Sequence, residues 1–311
     1  MMKFNFLLSC LFISLFTYSQ IIEEKVVLYN DSIVLPGTLT IPSTTSEPPV
    51  AIFIHGSGNV DRNGNQAGVN INANYIKQLS DSLNKYGIAF YRYDKRTATA
   101  KNSKYMTSNV TINNFVKDAQ IAIEHFKNDP RFSDIVVIGH SQGSLIAMLA
   151  LSEDVTKFVS ISGPSMSIEE TLIQQLNTQA TALGDKAREH FTELMTTDTI
   201  QKVHPFLMNI FAPVNQKFLK SWNQYVPAQL IHEIKTQKIL IVNGDSDSQV
   251  SPEEARILHQ VKPEATLAII PKMNHVLKEI NSFQENINSY HKDTYPLSSK
   301  LIEALVEFII K

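Results

Sequence analysis

Residues 136–150 read VVIGHSQGSLIAMLA. A β-branched apolar run ends at Gly139, and a second apolar run begins after Gly143. Between them lies G-x-S-x-G: Gly139-His140-Ser141-Gln142-Gly143. With a strand before it and a helix after it, this pattern describes a sharp turn that lifts Ser141 above a strand end. The glycines have a steric purpose, because small residues on either side of the serine let neighbouring backbone pass close to it. The hydroxyl then stands at the positive end of the following helix. Such a turn belongs to a largely parallel sheet, so the flanking sequence should alternate strands with helices.

Downstream, KFVSIS (157–162), QKILIVNG (237–244) and ATLAIIP (265–271) read as strands. PEEARILHQ (252–260) reads as a helix with proline in its first turn, and KLIEALVEFII (300–310) as a closing helix. Upstream, VAIFI (50–54) is the continuous apolar run of a strand buried on both faces. NYIKQLSDSLNKYG (74–87) has apolar residues Tyr75, Ile76, Leu79, Leu83 and Tyr86 at helical spacing and stops at Gly87. IAFYRY (88–93) is a strand, and 111–129 a helix opened by Thr111 and closed before Pro130. The first runs, EKVVLYN (24–30) and IVLPGTLTIP (33–42), suggest an antiparallel hairpin. The expected fold is α/β, a mostly parallel central sheet with an N-terminal antiparallel hairpin.

From about 164 to 236 the alternation lapses and helical patterns dominate. Connections in such folds run to roughly 2–6 residues, so this insertion is expected to be a helical cap within one domain spanning 20–311. Trp222, Phe206 and Phe211 either face the site from the cap or pack the cap's own core.

A serine becomes a useful nucleophile only when a base takes its proton. His275, in IIPKMNHVL (269–277), follows the last strand on the edge where Ser141 should stand. His291 lies in a polar stretch without such a position, and His125 and His259 sit inside helices. An acid must orient the histidine, and VNGDSDSQV (242–250) supplies two, Asp245 and Asp247. Position alone leaves both open. No histidine neighbours the pair, so a metal site is not expected. An oxyanion hole also needs two backbone donors. The residue after the nucleophile, Gln142, supplies one, and the glycine-rich loop His55-Gly56-Ser57-Gly58 the other, through Ser57 with Gly58 as the alternative. His55 reads as a brace of that loop.

These residues, with HGSGNVDRNGN (55–65), LSDSLNKYGIAFYRYDKR (79–96), GHSQGS (139–144) and SISGPSMSIEETLIQQ (160–175), resemble serine hydrolases of the α/β-hydrolase superfamily. The likeness is greatest to EstD-like carboxylesterases, and it extends to serine aminopeptidases and acyl-CoA thioesterases. It runs from roughly residue 32 to the end. The resemblance implies an α/β-hydrolase fold and cofactor-free hydrolysis of short-chain carboxylic esters through an acyl-enzyme. Its spacing of glycine, two residues, aspartate, two residues, valine falls on Gly244, Asp247 and Val250, so Asp247 becomes the expected acid and Asp245 a turn residue. The triplet DKR is usually followed by glycine in this family, whereas here Thr97-Ala98-Thr99 follow. Asp61, Arg62, Asp94 and Arg96 are expected to brace the loops as an ion-pair network, with Arg62 the alternative receptor for a substrate carboxylate. A peptidase reading would need an anchor for the substrate amine, Glu169, Glu170 or Glu193. A thioesterase, an acyltransferase and a non-catalytic binder are the remaining rivals. Activity should fall as the imidazole protonates, below about pH 6–7 for an ordinary histidine.

The chain has 311 residues, is 43% hydrophobic and carries a formal net charge of −2. Its charges are dispersed, unlike the basic stripe of a nucleic-acid binder. The first twenty residues have one early cation, Lys3, an apolar run from Phe4 to Phe16, and Thr17-Tyr18-Ser19. They read as a signal peptide over 1–19, cleaved before Gln20, which implies a periplasmic or secreted protein with no lasting membrane insertion. The only cysteine, Cys10, lies within that leader; the residues after it are too apolar for a lipoprotein's mature end. The mature protein would hold no thiol. The expected partner is a small-molecule ester.

Overall fold

The computed structural model describes residues 21–43, 45–178 and 180–311. The leader read at 1–19 and Cys10 lie outside the described residues. Among the described residues there are ten strands: β1 (Ile21–Asn30), β2 (Ile33–Pro42), β3 (Val50–Ile54), β4 (Asn65–Gln66), β5 (Ile71–Asn72), β6 (Ala89–Tyr93), β7 (Ile135–His140), β8 (Val155–Ile161), β9 (Lys238–Gly244) and β10 (Thr266–Ile270). The helices are α1 (Tyr75–Asn84), α2 (Ile112–Phe126), α3 (Gln142–Ala150), α4 (Ile168–Asn177), α5 (Thr181–Thr197), α6 (Met208–Phe211), α7 (Pro213–Trp222), α8 (Pro227–Glu233), α9 (Pro252–Val261), α10 (Phe283–Ser289) and α11 (Ser299–Ile310).

Eight strands form one sheet in the order β1-β2-β6-β3-β7-β8-β9-β10, and β4 and β5 make a separate two-stranded ribbon. The hairpin β1–β2 joins β6 antiparallel, and every pairing from β6 to β10 is parallel. This is the α/β sheet expected from the alternation of runs. VAIFI is buried along its whole length, as a central strand covered on both faces must be. Apolar side chains cover both faces of the sheet: Ile52, Val137 and Phe158 belong to one core layer, Phe53, Ile138 and Val159 to the other.

One helix expectation needs correction. Helix α1 ends at Asn84, and Tyr86 is 53% exposed rather than on its buried face. Gly87, at φ 79°, supplies the left-handed turn that returns the chain to β6. A short helix, α10, also lies between β10 and α11, formed by a run, FQENINS, with little apolar periodicity.

Between β8 and β9 lie helices α4 to α8. They hold a third apolar cluster that includes Phe191, Leu194, Leu207 and Phe211. Register sets the ends of the strands. Ile54 of β3 lies beside Gly139 of β7, and Gly244 of β9 beside Ile270 of β10. The loops that follow these strands therefore emerge on one edge of the sheet.

Candidate active site

Ser141 sits at the β7–α3 turn with φ 55° and ψ −123°. A residue with a side chain holds such a conformation only where its surroundings impose it. Here the surroundings are backbone. A Cβ on Gly143 would collide with the carbonyl oxygens of Ile54 and His55, and one on Gly139 would lie 2.5 Å from Gly143 O. The Ser141 N–H donates to Ile161 O on β8 at 2.9 Å. Gln142 opens α3, so its N–H is among the first four that lack an intrahelical acceptor. Gly56 also packs against the turn, less tightly: a Cβ there would lie 3.1 Å from Ser141 Cβ. Ser57, Gly58, Ser141, Gln142 and His275 line one cavity of about 700 Å³.

The two acids of VNGDSDSQV have different partners. Asp247 is buried, and its Oδ2 accepts from His275 Nδ1 at 2.8 Å. Its Oδ1 accepts the N–H groups of Gln249 at 2.8 Å and Val250 at 2.9 Å. A carboxylate can only accept, so the shared proton sits on Nδ1, and in the neutral imidazole the lone pair is on Nε2. Burial alone would raise the Asp247 carboxyl. The His275 charge, its hydrogen bond and the two backbone donors outweigh burial and hold it below the usual carboxylate value. Asp245 points elsewhere. Its Oδ1 accepts the Lys272 N–H at 2.6 Å and the Ser246 hydroxyl at 2.9 Å. It stitches the turn after β9 to the turn after β10, helped by Gly244, where a side chain would collide with Met273 O. Among the described residues no group of three His, Cys, Asp or Glu side chains is placed to hold a metal ion.

Two contributors were not singled out in the sequence. His140 Nε2 lies 2.9 Å from His275 O. Burial, then the neighbouring His275, push His140 down to about 3, so it is neutral and donates Nε2–H to that carbonyl. Lys95 is buried in the loop after β6, and its Nζ donates to Gly56 O at 2.6 Å and to Gln142 Oε1 at 2.8 Å. Both lie in stretches that carry the family resemblance, GHSQGS and DKR, but their roles are recognisable only from their partners across the fold.

The expected loop-bracing network is two separate pairs instead. Arg62 meets Asp94 with two nitrogens, at 2.9 and 2.7 Å, and does not line the cavity. Arg96 turns away to Asp118 on α2, at 2.6 Å for each of two bonds. Asp61 accepts the N–H groups of Asn63 and Asn65 and shapes a turn. Where the family has glycine after DKR, Ala98 N–H bonds back to Lys95 O at 2.8 Å and the Thr97 hydroxyl to Gly58 O at 3.2 Å. His55 is buried against the Tyr93 ring, 4.8 Å between centroids. His291 bonds to Asn70 O on the surface. Of the cap aromatics, Trp222 lines the cavity, Phe211 packs on Phe191 at 5.1 Å, and Phe206 is 82% exposed, serving neither expected role. Glu169 pairs with Asn223, Glu170 with Ser167 and Glu193 with Gln201 N–H. None of the three lines the cavity.

Residues 67–204 match a sequence model of the family described as serine aminopeptidase, S33, a span that includes Ser141. The chain is 26% identical over 261 residues to esterase EstD of Thermotoga maritima, covering 82% of this chain. It spans 60% of that relative's length. Among solved structures, Est1E from Butyrivibrio proteoclasticus is similar at a TM-score of 0.57 with 19% identity, over 92% of this chain and 97% of that one. The Pyrococcus furiosus esterase Pf2001 is similar at 0.58 with 16% identity, over 93% and 90%. The fold is that of the α/β-hydrolases.

Proposed function

From this α/β-hydrolase fold, we propose that the chain is an exported serine carboxylesterase acting on short-chain esters. The observation that carries the reading is the 2.8 Å bond from His275 Nδ1 to Asp247, made at the cavity that also holds Ser141 on its strained turn. In this reading Ser141 Oγ attacks the acyl carbonyl and His275 Nε2 takes its proton. The N–H groups of Ser57 and Gln142 receive the developing oxyanion. His275 then protonates the departing alcohol, and water repeats the cycle to release the acid. An apolar recess of about 210 Å³ beside Ser57 and Gln142, lined by Met106, Val110, Phe115 and Phe218, accommodates the short acyl chain.

The family model favours a second reading, an aminopeptidase. A peptidase that reads a substrate's ammonium group needs a carboxylate in its site. Among the described residues, those lining the cavity include no Asp, Glu, Lys or Arg, which supports an uncharged ester. The test is hydrolysis of a p-nitrophenyl ester series against aminoacyl anilides, with Ser141→Ala as control. Faster anilide turnover reverses the preference, and equal activity in Ser141→Ala removes the mechanism. Export is checked by sequencing the N-terminus of the periplasmic or secreted protein, which should begin at Gln20.

A further inference from the structure

We propose that Lys95, which also lines the recess beside Ser57 and Gln142, is a positioning residue for the oxyanion hole, bonded to the peptide that carries one backbone donor and to the side chain of the other; this rests on the esterase reading above. The juxtaposition is specific. Lys95 Nζ donates to Gly56 O at 2.6 Å and to the Gln142 side-chain oxygen at 2.8 Å. Gly56 O and Ser57 N–H belong to one trans peptide, so they point in opposite directions. Drawing the Gly56 carbonyl toward Lys95 turns the Ser57 N–H away from Lys95. A carbonyl that accepts a strong hydrogen bond also polarises its peptide, which makes the attached N–H a better donor.

The second bond anchors Gln142 by its side chain while its backbone N–H opens α3. One amine thus ties the loop after β3 to the start of α3, the two segments that flank Ser141. Lys95 is itself held. Its N–H donates to Val60 O at 3.1 Å, and the Phe115 ring centroid lies 5.0 Å from Nζ. The nearby acid Asp118 is taken by Arg96, so Lys95 has no carboxylate partner in these bonds. Its two acceptors are Gly56 O, in the peptide that carries the Ser57 N–H, and the Gln142 side chain. Burial lowers the amine to about 7, and both protonation states retain the two N–H donors used here.

The test compares Lys95→Met with wild type on p-nitrophenyl butyrate, with thermal melting to confirm folding. Loss of one oxyanion donor lowers kcat by about 10²–10³; misaiming rather than removing donors should lower it about 30- to 100-fold with KM within threefold. Affinity for a trifluoromethyl ketone, which forms an oxyanion on Ser141, should fall by a similar factor. A kcat within twofold of wild type, or a fall in kcat with unchanged ketone affinity, overturns the assignment. Gln142→Leu provides a second readout should Lys95→Met fail to fold. It cuts one of the two bonds but keeps the backbone donor, and kcat should fall about five- to tenfold; no change overturns the proposal. Wild type without Ser141-dependent hydrolysis would refute the esterase reading instead.

Discussion

Replacing Asp247 by Asn removes one charge and reverses one hydrogen bond. The carboxylate accepts from His275 Nδ1 at 2.8 Å, and its side chain is fully shielded from solvent. Two consequences follow. First, in the proposed mechanism the imidazolium formed on His275 loses its counter-charge. A unit pair about 4 Å apart is worth about 4 kcal/mol at an effective dielectric constant of about 20. That energy corresponds to roughly three decades in rate. Second, an Asn amide can donate to Nδ1, which places the proton on Nε2 and leaves no lone pair to receive the Ser141 proton. Together they predict a fall in kcat of about 10³–10⁴ with KM changed less than threefold. Asp245→Asn is the matched control. Its Oδ1 serves the Lys272 N–H and the Ser246 hydroxyl, and an Asn oxygen can replace it there. Its kcat should stay within about threefold and its stability within about 1 kcal/mol. Both variants are assayed on p-nitrophenyl butyrate at pH 8 after melting curves confirm folding. Retention of more than a tenth of wild-type kcat in Asp247→Asn, or a larger loss in Asp245→Asn, would refute this reasoning.

Burial, with Lys95 as the next cause, lowers His55 from 6.5 to about 3, and burial likewise lowers His140 to about 3. The unfolded chain therefore takes up these protons first. Stability is full above about pH 6.5 and declines as pH falls toward 3, by up to about 1.4 kcal/mol per pH unit for each group. Melting curves between pH 8 and 4 should show a shallower acid slope in His55→Phe than in wild type; an identical slope contradicts the assignment. Arg96→Ala leaves the buried Asp118 with the Asn30 amide but no cation, and should cost about 3–5 kcal/mol in urea unfolding. Adding Asp118→Ala should recover part of that loss; a cost below about 1 kcal/mol for Arg96→Ala alone speaks against the pair. Gly143→Ala forces a methyl into the carbonyl oxygens of Ile54 and His55. A destabilisation of about 1–3 kcal/mol and loss of esterase activity are expected; a variant with wild-type melting and turnover would show that the turn is not tightly packed.

The sequence by itself determined the sheet, the hairpin and the Ser141 turn, because each follows from short-range stereochemistry. Period-two and continuous apolar runs specify strands, and Gly139 and Gly143 are the small residues that a turn between backbone strands demands. It also supplied the chemical types near the site: a serine, a histidine after the last strand and an acid pair. Tertiary structure decided which of these meet. Asp245 and Asp247 are two residues apart, yet only the register of β9 on β10 and the course of the next turn bring Asp247 to His275. Arg96 was grouped with its sequence neighbours, but α2 carries its partner, Asp118. Phe206 and Trp222 share one expectation in the sequence, and only the packing of the helices between β8 and β9 sends one to solvent and the other to the cavity. Lys95 is one cation in a charged triplet until β6, β3 and α3 are assembled around it. The reason is physical. Local patterns are set by energies within a few residues, whereas a partner far along the chain is chosen by strand register, loop shape and the cost of leaving a buried polar group alone.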